Sequence, residues 1–163
     1  MSNEQKPAEA PKPPSSSKEE RHSLDFDHDS TLIKMSVTIP ARVEAISAAV
    51  EGIIAVVRTI DCASGKDFEI ETALREALAN AITHGCHNDP DKQVQCCVAC
   101  QEEHGMLIIV RDPGQGFDPL AIPNPTIGEN LYDNHGRGIY LINELMDEVR
   151  FERGGTEIHM RKY

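Results

Sequence analysis

An α+β fold is predicted, a two-layer sandwich with a mostly antiparallel sheet and helices on one face. Two observations lead there. The apolar period switches between two and about 3.6 along the chain, marking strands and helices in turn. The resulting order is β-α-α-β-β-long loop-α-β-β, in which neighbouring strands are joined by short hairpin turns.

The chain has 163 residues, which suits a single domain with an extension. Residues 1–29 are rich in Pro, Ser, Glu and Lys, with PKPPSSSKEE at their centre. So polar a stretch buries too little apolar area to offset its ordering entropy, and it reads as a disordered tail ahead of a domain over residues 30–163.

TLIKMSVTIP (residues 31–40) alternates Leu32, Lys34, Ser36, Thr38 against Ile33, Met35, Val37, Ile39, the pattern of a strand with one buried face. Pro40 is expected to stop that strand and open a helix running to about Thr59. Val43, Ile46, Val50, Ile53, Ile54 and Val57 form its apolar stripe. DCASGKD is a loop, with Asp67 expected to cap a second helix from Phe68 to about His84. Ile70, Ala73, Leu74, Ala77, Leu78, Ala81 and Ile82 make its stripe, and Gly85 ends it. Strands are expected over Lys92–Glu102 and Met106–Arg111, joined at Glu103-His104-Gly105. Residues 117–135 carry three prolines and no sustained period, so they read as a long loop, of the kind that often serves as a lid. A short helix over Ile139–Met146 and strands over Glu148–Glu152 and Thr156–Arg161 complete the chain.

The net charge is -11, from 27 acidic and 16 basic residues. Such a surface repels phosphate backbones and anionic lipid, which argues against direct nucleic-acid or membrane binding. Five cysteines without regular spacing, and no leader or long apolar run, point to a reduced, cytoplasmic protein. Cys97 and Cys100 have a zinc-like gap, but in a strand they face opposite sides, so the cysteines are expected to be small apolar strand residues. His84 closes the second helix, in either a structural or a phosphate-side role.

Three places carry candidate chemistry. Glu76 and Asn80 stand at i and i+4 on the second helix, beside its apolar face. Alone, that pair reads first as a solvated polar flank. DPGQGFDP (residues 112–119) follows an apolar strand. Gly114 and Gly116 let a ligand approach the backbone, and Asp112 offers an acceptor for an exocyclic amine. Alone, this too is a plain turn. HGRGIYLI (residues 135–142) places Gly136 and Gly138 before a helix, where N–H groups and the dipole favour a phosphate, with Arg137 adding charge. It is neither a Walker A loop nor a dinucleotide fingerprint.

In order and spacing these motifs resemble the GHKL (Bergerat-type) ATPases, and among them the anti-sigma factor serine kinases. EALANAITHG resembles the family's N box, DPGQGFDP and GRGIYLI its two glycine boxes, and GGTEIHM its closing strand; the likeness spans about Thr31 to Lys162. It implies that Asn80 coordinates Mg²⁺ bridging the ATP phosphates, and that Glu76 orients or deprotonates the attacking hydroxyl. Asp112 would bind adenine N6, with Gly114 and Gly116 beside base and ribose. Gly136, Arg137 and Gly138 would hold the β and γ phosphates, Thr156 would lie near adenine through water, and residues 117–135 would form an ATP lid. The second glycine box is shorter than in many relatives. The resemblance further implies a serine/threonine kinase that phosphorylates an anti-anti-sigma factor and sequesters a sigma factor, as a homodimer. The alternative is an ATP-gated binding module without transfer. The stretch before Pro40 reads as strand and tail rather than a helical hairpin bearing a phosphoacceptor His, so histidine autophosphorylation is not expected.

Overall fold

The computed structural model describes residues 31–101, 103–121 and 136–163. The tail predicted over residues 1–29 and most of the predicted lid lie outside them.

Five strands form an antiparallel sheet: β1 (Thr31–Pro40), β2 (Gln93–Gln101), β3 (Gly105–Arg111), β4 (Glu148–Glu152) and β5 (Glu157–Lys162). Their order is β1-β2-β3-β5-β4, so the last hairpin inserts its second strand beside β3. Helices α1 (Ala45–Ile60), α2 (Asp67–Asn80) and α3 (Arg137–Leu145) cover one face. This is the predicted α+β sandwich.

Periodicity explains the layers. Ile46, Val50, Ile53, Ile54 and Val57 of α1, and Ile70, Ala73, Leu74, Ala77 and Leu78 of α2, are buried against the sheet. They meet alternate strand residues, among them Ile39, Val98, Met106, Ile108 and Met160. Burying such side chains contributes about 1.5–3 kcal/mol each, so this layer contact dominates stability. Arg75 of α2 bonds Glu71 at 3.0 Å and Ser47 of α1 at 3.2 Å, tying the two helices at their rim.

Several expectations are corrected. Pro40 does not open α1: it is the last residue of β1, opposite Gln93. The helix starts at Ala45, which leaves Val43 outside the stripe and 55% exposed. Asp67 is the first residue of α2 rather than its cap, and its carboxylate accepts from Arg58 Nε at 2.8 Å. The α-helix ends at Asn80, and Ala81–Gly85 form a single wider turn closed by Cys86 N–H to the Ala81 carbonyl, 2.8 Å. Helix α3 begins at Arg137, two residues early, so Gly138 lies within its first turn.

The cysteines divide three ways. Cys62, in the loop after α1, forms a disulfide with Cys100 of β2, contrary to the fully reduced set expected. Period-two strand geometry puts Cys97 on the other face, beside Leu107 and Ile109. Cys86 and Cys96 are buried in the main core. Burial pushes the Cys96 thiol up to about 12, helped by its neighbour Cys97.

Candidate active site

A cavity of about 540 Å³ opens between α2, the end of β3, the start of α3 and the β4–β5 turn. That is within the range of small-molecule sites, about 300–1,000 Å³. Asn80, Asp112, Gly116, Gly136 and Thr156 line it directly. These five come from four separate stretches of chain, and the fold brings them to one place.

The other predicted residues stand just behind that wall or beside it. Gly138 is pressed onto α2: a Cβ there would lie 2.7 Å from Glu76 Oε2 and 3.2 Å from Asn80 Nδ2. A side chain at position 138 would push the end of Glu76 aside. The first turn of α3 therefore sits on the Glu76–Asn80 pair, which resolves the choice left open by the helical wheel. Both side chains are half-buried at the α2–α3 contact rather than on a solvated flank. Gly114 rests on the Gly85 carbonyl and on Asp112. Arg137 is exposed at the start of α3.

Gly136 precedes α3 with φ 86°, a conformation that favours glycine. Gly136 lines the cavity, and the first N–H groups of a helix, with its dipole, favour an anion. An anion there would face Asn80 and, one turn back along α2, Glu76.

The opposite end suits a purine. Val110, Ile158 and Phe151 supply apolar surface, and Phe117 packs edge-on against Phe151 with ring centroids 5.3 Å apart. Asp112 stands beside that surface. Its N–H donates to the Thr156 carbonyl at 3.0 Å, and Oδ1 accepts from Gly114 N–H at 2.8 Å. Burial raises the Asp112 pKa above the usual carboxylate value, opposed by the Gly114 N–H and by Lys92. The Thr156 hydroxyl donates to the Arg153 carbonyl at 3.1 Å.

Gly116 lies against the Gly154 carbonyl, to which Phe117 N–H donates at 3.0 Å. This clasp holds the chain at Gly116 and Phe117. His84 and His87 both reach the cavity wall, so His84 is on the ligand side.

Sequence reasoning missed the apolar floor and Gly85. Val110 and Ile158 had a usable signal, since each lies on the strand face that alternation assigns to the core. Phe117 and Phe151 had none, because their contact spans 34 positions of chain.

Residues 39–162 match the model of the histidine kinase-like ATPase domain. The chain belongs to that family. It is also similar to the anti-sigma F factor of Geobacillus stearothermophilus, 31% identical over 139 residues, covering 79% of this chain and 91% of the relative. The anti-sigma F factor of Geobacillus kaustophilus strain HTA426 is 31% identical over 140 residues, 80% of this chain and 92% of that protein. That of Priestia megaterium is 30% identical over 105 residues, 58% and 68% of the two chains. The resemblance to the anti-sigma branch of this superfamily therefore holds over most of the chain. The domain's ligand is ATP, and the cavity joins an apolar floor and the half-buried Asp112 to the start of α3. No helix among the described residues is long and apolar enough to cross a membrane.

Proposed function

We propose that the protein is an ATP-dependent serine/threonine kinase acting as an anti-sigma factor in the cytoplasm. It would phosphorylate an anti-anti-sigma partner and sequester a sigma factor, as a homodimer, without direct contact to nucleic acid or membrane. The observation that carries the kinase reading is the placement of Glu76 and Asn80 under Gly138, at the start of α3. Nucleotide binding alone needs no carboxylate next to an anion site, where it would repel phosphate. A general base does belong there.

In this reading the adenine lies on the apolar floor with its amine on Asp112, beside Gly114 and Gly116 and near Thr156. The phosphates run toward Gly136, Arg137 and Gly138. The Asn80 amide oxygen is a hard donor suited to Mg²⁺, which commonly takes one or two protein oxygens and fills the rest with phosphates and water. When bound, that ion neutralises charge on the phosphate oxygens. Glu76 receives the proton of the partner's serine hydroxyl as its oxygen bonds the γ phosphorus. The bond to the β-phosphate oxygen breaks, and ADP leaves. Little else is required of the protein, since phosphoryl transfer depends mostly on positioning and charge.

The test is transfer of labelled γ-phosphate to a candidate anti-anti-sigma protein of the same organism. The parent should label the partner, while Glu76→Gln should bind ATP normally and transfer at least about a hundredfold more slowly. Partner regulation that survives Glu76→Gln unchanged would instead establish an ATP-gated binding module.

A further inference from the structure

Asp112 lines two cavities, and the nucleotide site accounts for one of them. Strands β2 and β3 pair as far as Gln95 opposite Arg111. Beyond that pair a second cleft opens, of about 430 Å³, lined by Lys92, Gln93 and Gln95 from the β2 side and by Arg111 and Asp112 from the β3 side. Among the described residues, Asp112 alone lines both this cleft and the nucleotide cavity. It stands as a partition between them.

Lys92 is half-buried and held by its backbone. Its N–H donates to the Asp89 carbonyl at 3.1 Å, and its carbonyl accepts from Ala41 N–H at 3.0 Å. Asp89 N–H in turn donates to the Cys86 carbonyl at 3.1 Å. The turn that leaves from Gly85, beneath Asp112, thus comes back to the cleft that Asp112 lines. The Lys92 ammonium acts on the carboxylate through its charge and not through a hydrogen bond. Arg111, the other cation of the cleft, is committed to Glu157.

The remaining titratable groups nearby supply no such charge. Burial and the charge of Asp112 push the Cys86 thiol up, so it stays neutral. Asp91 in the cleft and Asp118 in the nucleotide cavity are further acids, and His84 and His87 stand on the cavity wall. Burial favours the protonated form of a carboxyl. The chain carries 27 acidic residues against 16 basic ones, and a bound nucleotide would bring its phosphates into the same cavity. Each of these works against an ionised Asp112. Once protonated, the carboxyl loses the charge that strengthens its bond to an amine.

We propose that Lys92 is a positioning residue for base recognition: from the second cleft, its ammonium holds Asp112 as an ionised acceptor for the exocyclic amine of the purine. The inference rests on the reading of Asp112 as the base-binding residue. It makes Lys92 a determinant of the preference for a 6-amino over a 6-oxo purine, although Lys92 lies outside the nucleotide cavity.

Calorimetric titration of the full chain with ATP and with ITP, at pH 7.5 and pH 5, is the test. ITP carries an oxygen in place of the amine. Changes in phosphate, metal or histidine ionisation act on both nucleotides alike, so the ratio of the two affinities isolates the base. In Lys92→Met the ATP-over-ITP ratio should fall at least about threefold at pH 5, and less at pH 7.5. Lys92→Arg should keep the parental ratio. Asp112→Asn should lower the ratio at both pH values, and adding Lys92→Met to it should change nothing further. An unchanged ratio in Lys92→Met, beside a lowered one in Asp112→Asn, overturns the proposal and leaves the base reading intact. So does an equal loss for both nucleotides, or a loss that persists in the Asp112→Asn background, since either marks a purely structural role. An unchanged ratio in Asp112→Asn refutes the base reading itself, and the proposal with it.

Discussion

Gly85 leaves no space for a side chain beneath Asp112: a Cβ at position 85 would lie 2.2 Å from the Asp112 Cγ. The wide turn at Ala81–Gly85 delivers Gly85 to that point, and Gly114 closes on it from the other side. Asp112 is thus held between two glycines from distant parts of the chain, and its orientation depends on both.

Gly85→Ala should therefore act on the ligand through Asp112. The neighbour is a carboxylate on a short side chain between backbone segments, so it must move. Overpacking of this kind costs about 1–3 kcal/mol of stability, and ATP affinity should fall at least about tenfold. Calorimetric titration with ATP and urea unfolding of the same variant check the two parts. Unchanged affinity would show that Asp112 is not placed by Gly85.

Asp112→Asn separates binding from stability. Burial raises the folded-state pKa of this acid, so its contribution to stability is fully present only below the unfolded value and is lost as pH rises through the folded one. At neutral pH the ionised group thus works against folding, and the asparagine variant should be at least as stable as the parent. ATP binding should nonetheless drop by about tenfold or more, because an amide is a poorer acceptor for an amine than a carboxylate. In the parent, affinity should begin to fall on acidification at a higher pH than an ordinary aspartate would give. Thermal melts and binding titrations across pH 4 to 7 read both effects.

Glu157 shows the opposite sign. Burial works against its carboxylate, but hydrogen bonds from His159 and Arg111, with the charge of Arg111, outweigh it and hold the pKa below the usual value. The His159 contact is 2.7 Å and a further one from Arg153 is 3.2 Å. A lowered folded pKa gives stability that is present above the unfolded value and lost as pH falls through the folded one. Glu157→Gln should destabilise by about 1–3 kcal/mol at pH 7, and the gap to the parent should close in acid. Urea midpoints at pH 7 and pH 3.5 provide the comparison.

The Cys62–Cys100 bridge, 38 positions apart, closes a loop that contains α2 and most of β2. Constraining a loop of that length in the unfolded chain stabilises by about 2–4 kcal/mol. Cys62→Ser/Cys100→Ala, or treatment with dithiothreitol, should lower stability by that amount. Urea unfolding with and without reductant, together with thiol counting on the unfolded protein, tests this. Five reactive thiols in the untreated protein, with no effect of reductant, would exclude the bridge.

Much of the fold was legible because backbone periods are local. The 3.6-residue stripe of Ile70 to Leu78 specified α2 and its buried face, and the alternation through Ile39 specified β1. Glu148–Glu152 was read with its observed ends. Helix starts were read less well. Pro40 suits a strand end as much as a helix start, and the pairing with Gln93 decided between them.

The sequence by itself determined the sandwich and the order of its elements, since composition and period act within a few turns of chain. Only the tertiary structure decided how those residues meet. The wheel left Glu76 and Asn80 between a solvated flank and a cleft; Gly138 arriving from α3 covers both, with Asn80 on the cavity wall and Glu76 behind it. Nothing local announces that Gly85 lies under Asp112, that Phe117 meets Phe151, or that Cys62 reaches Cys100. Such contacts depend on sheet register and layer packing, which belong to the whole chain and not to any one segment of it.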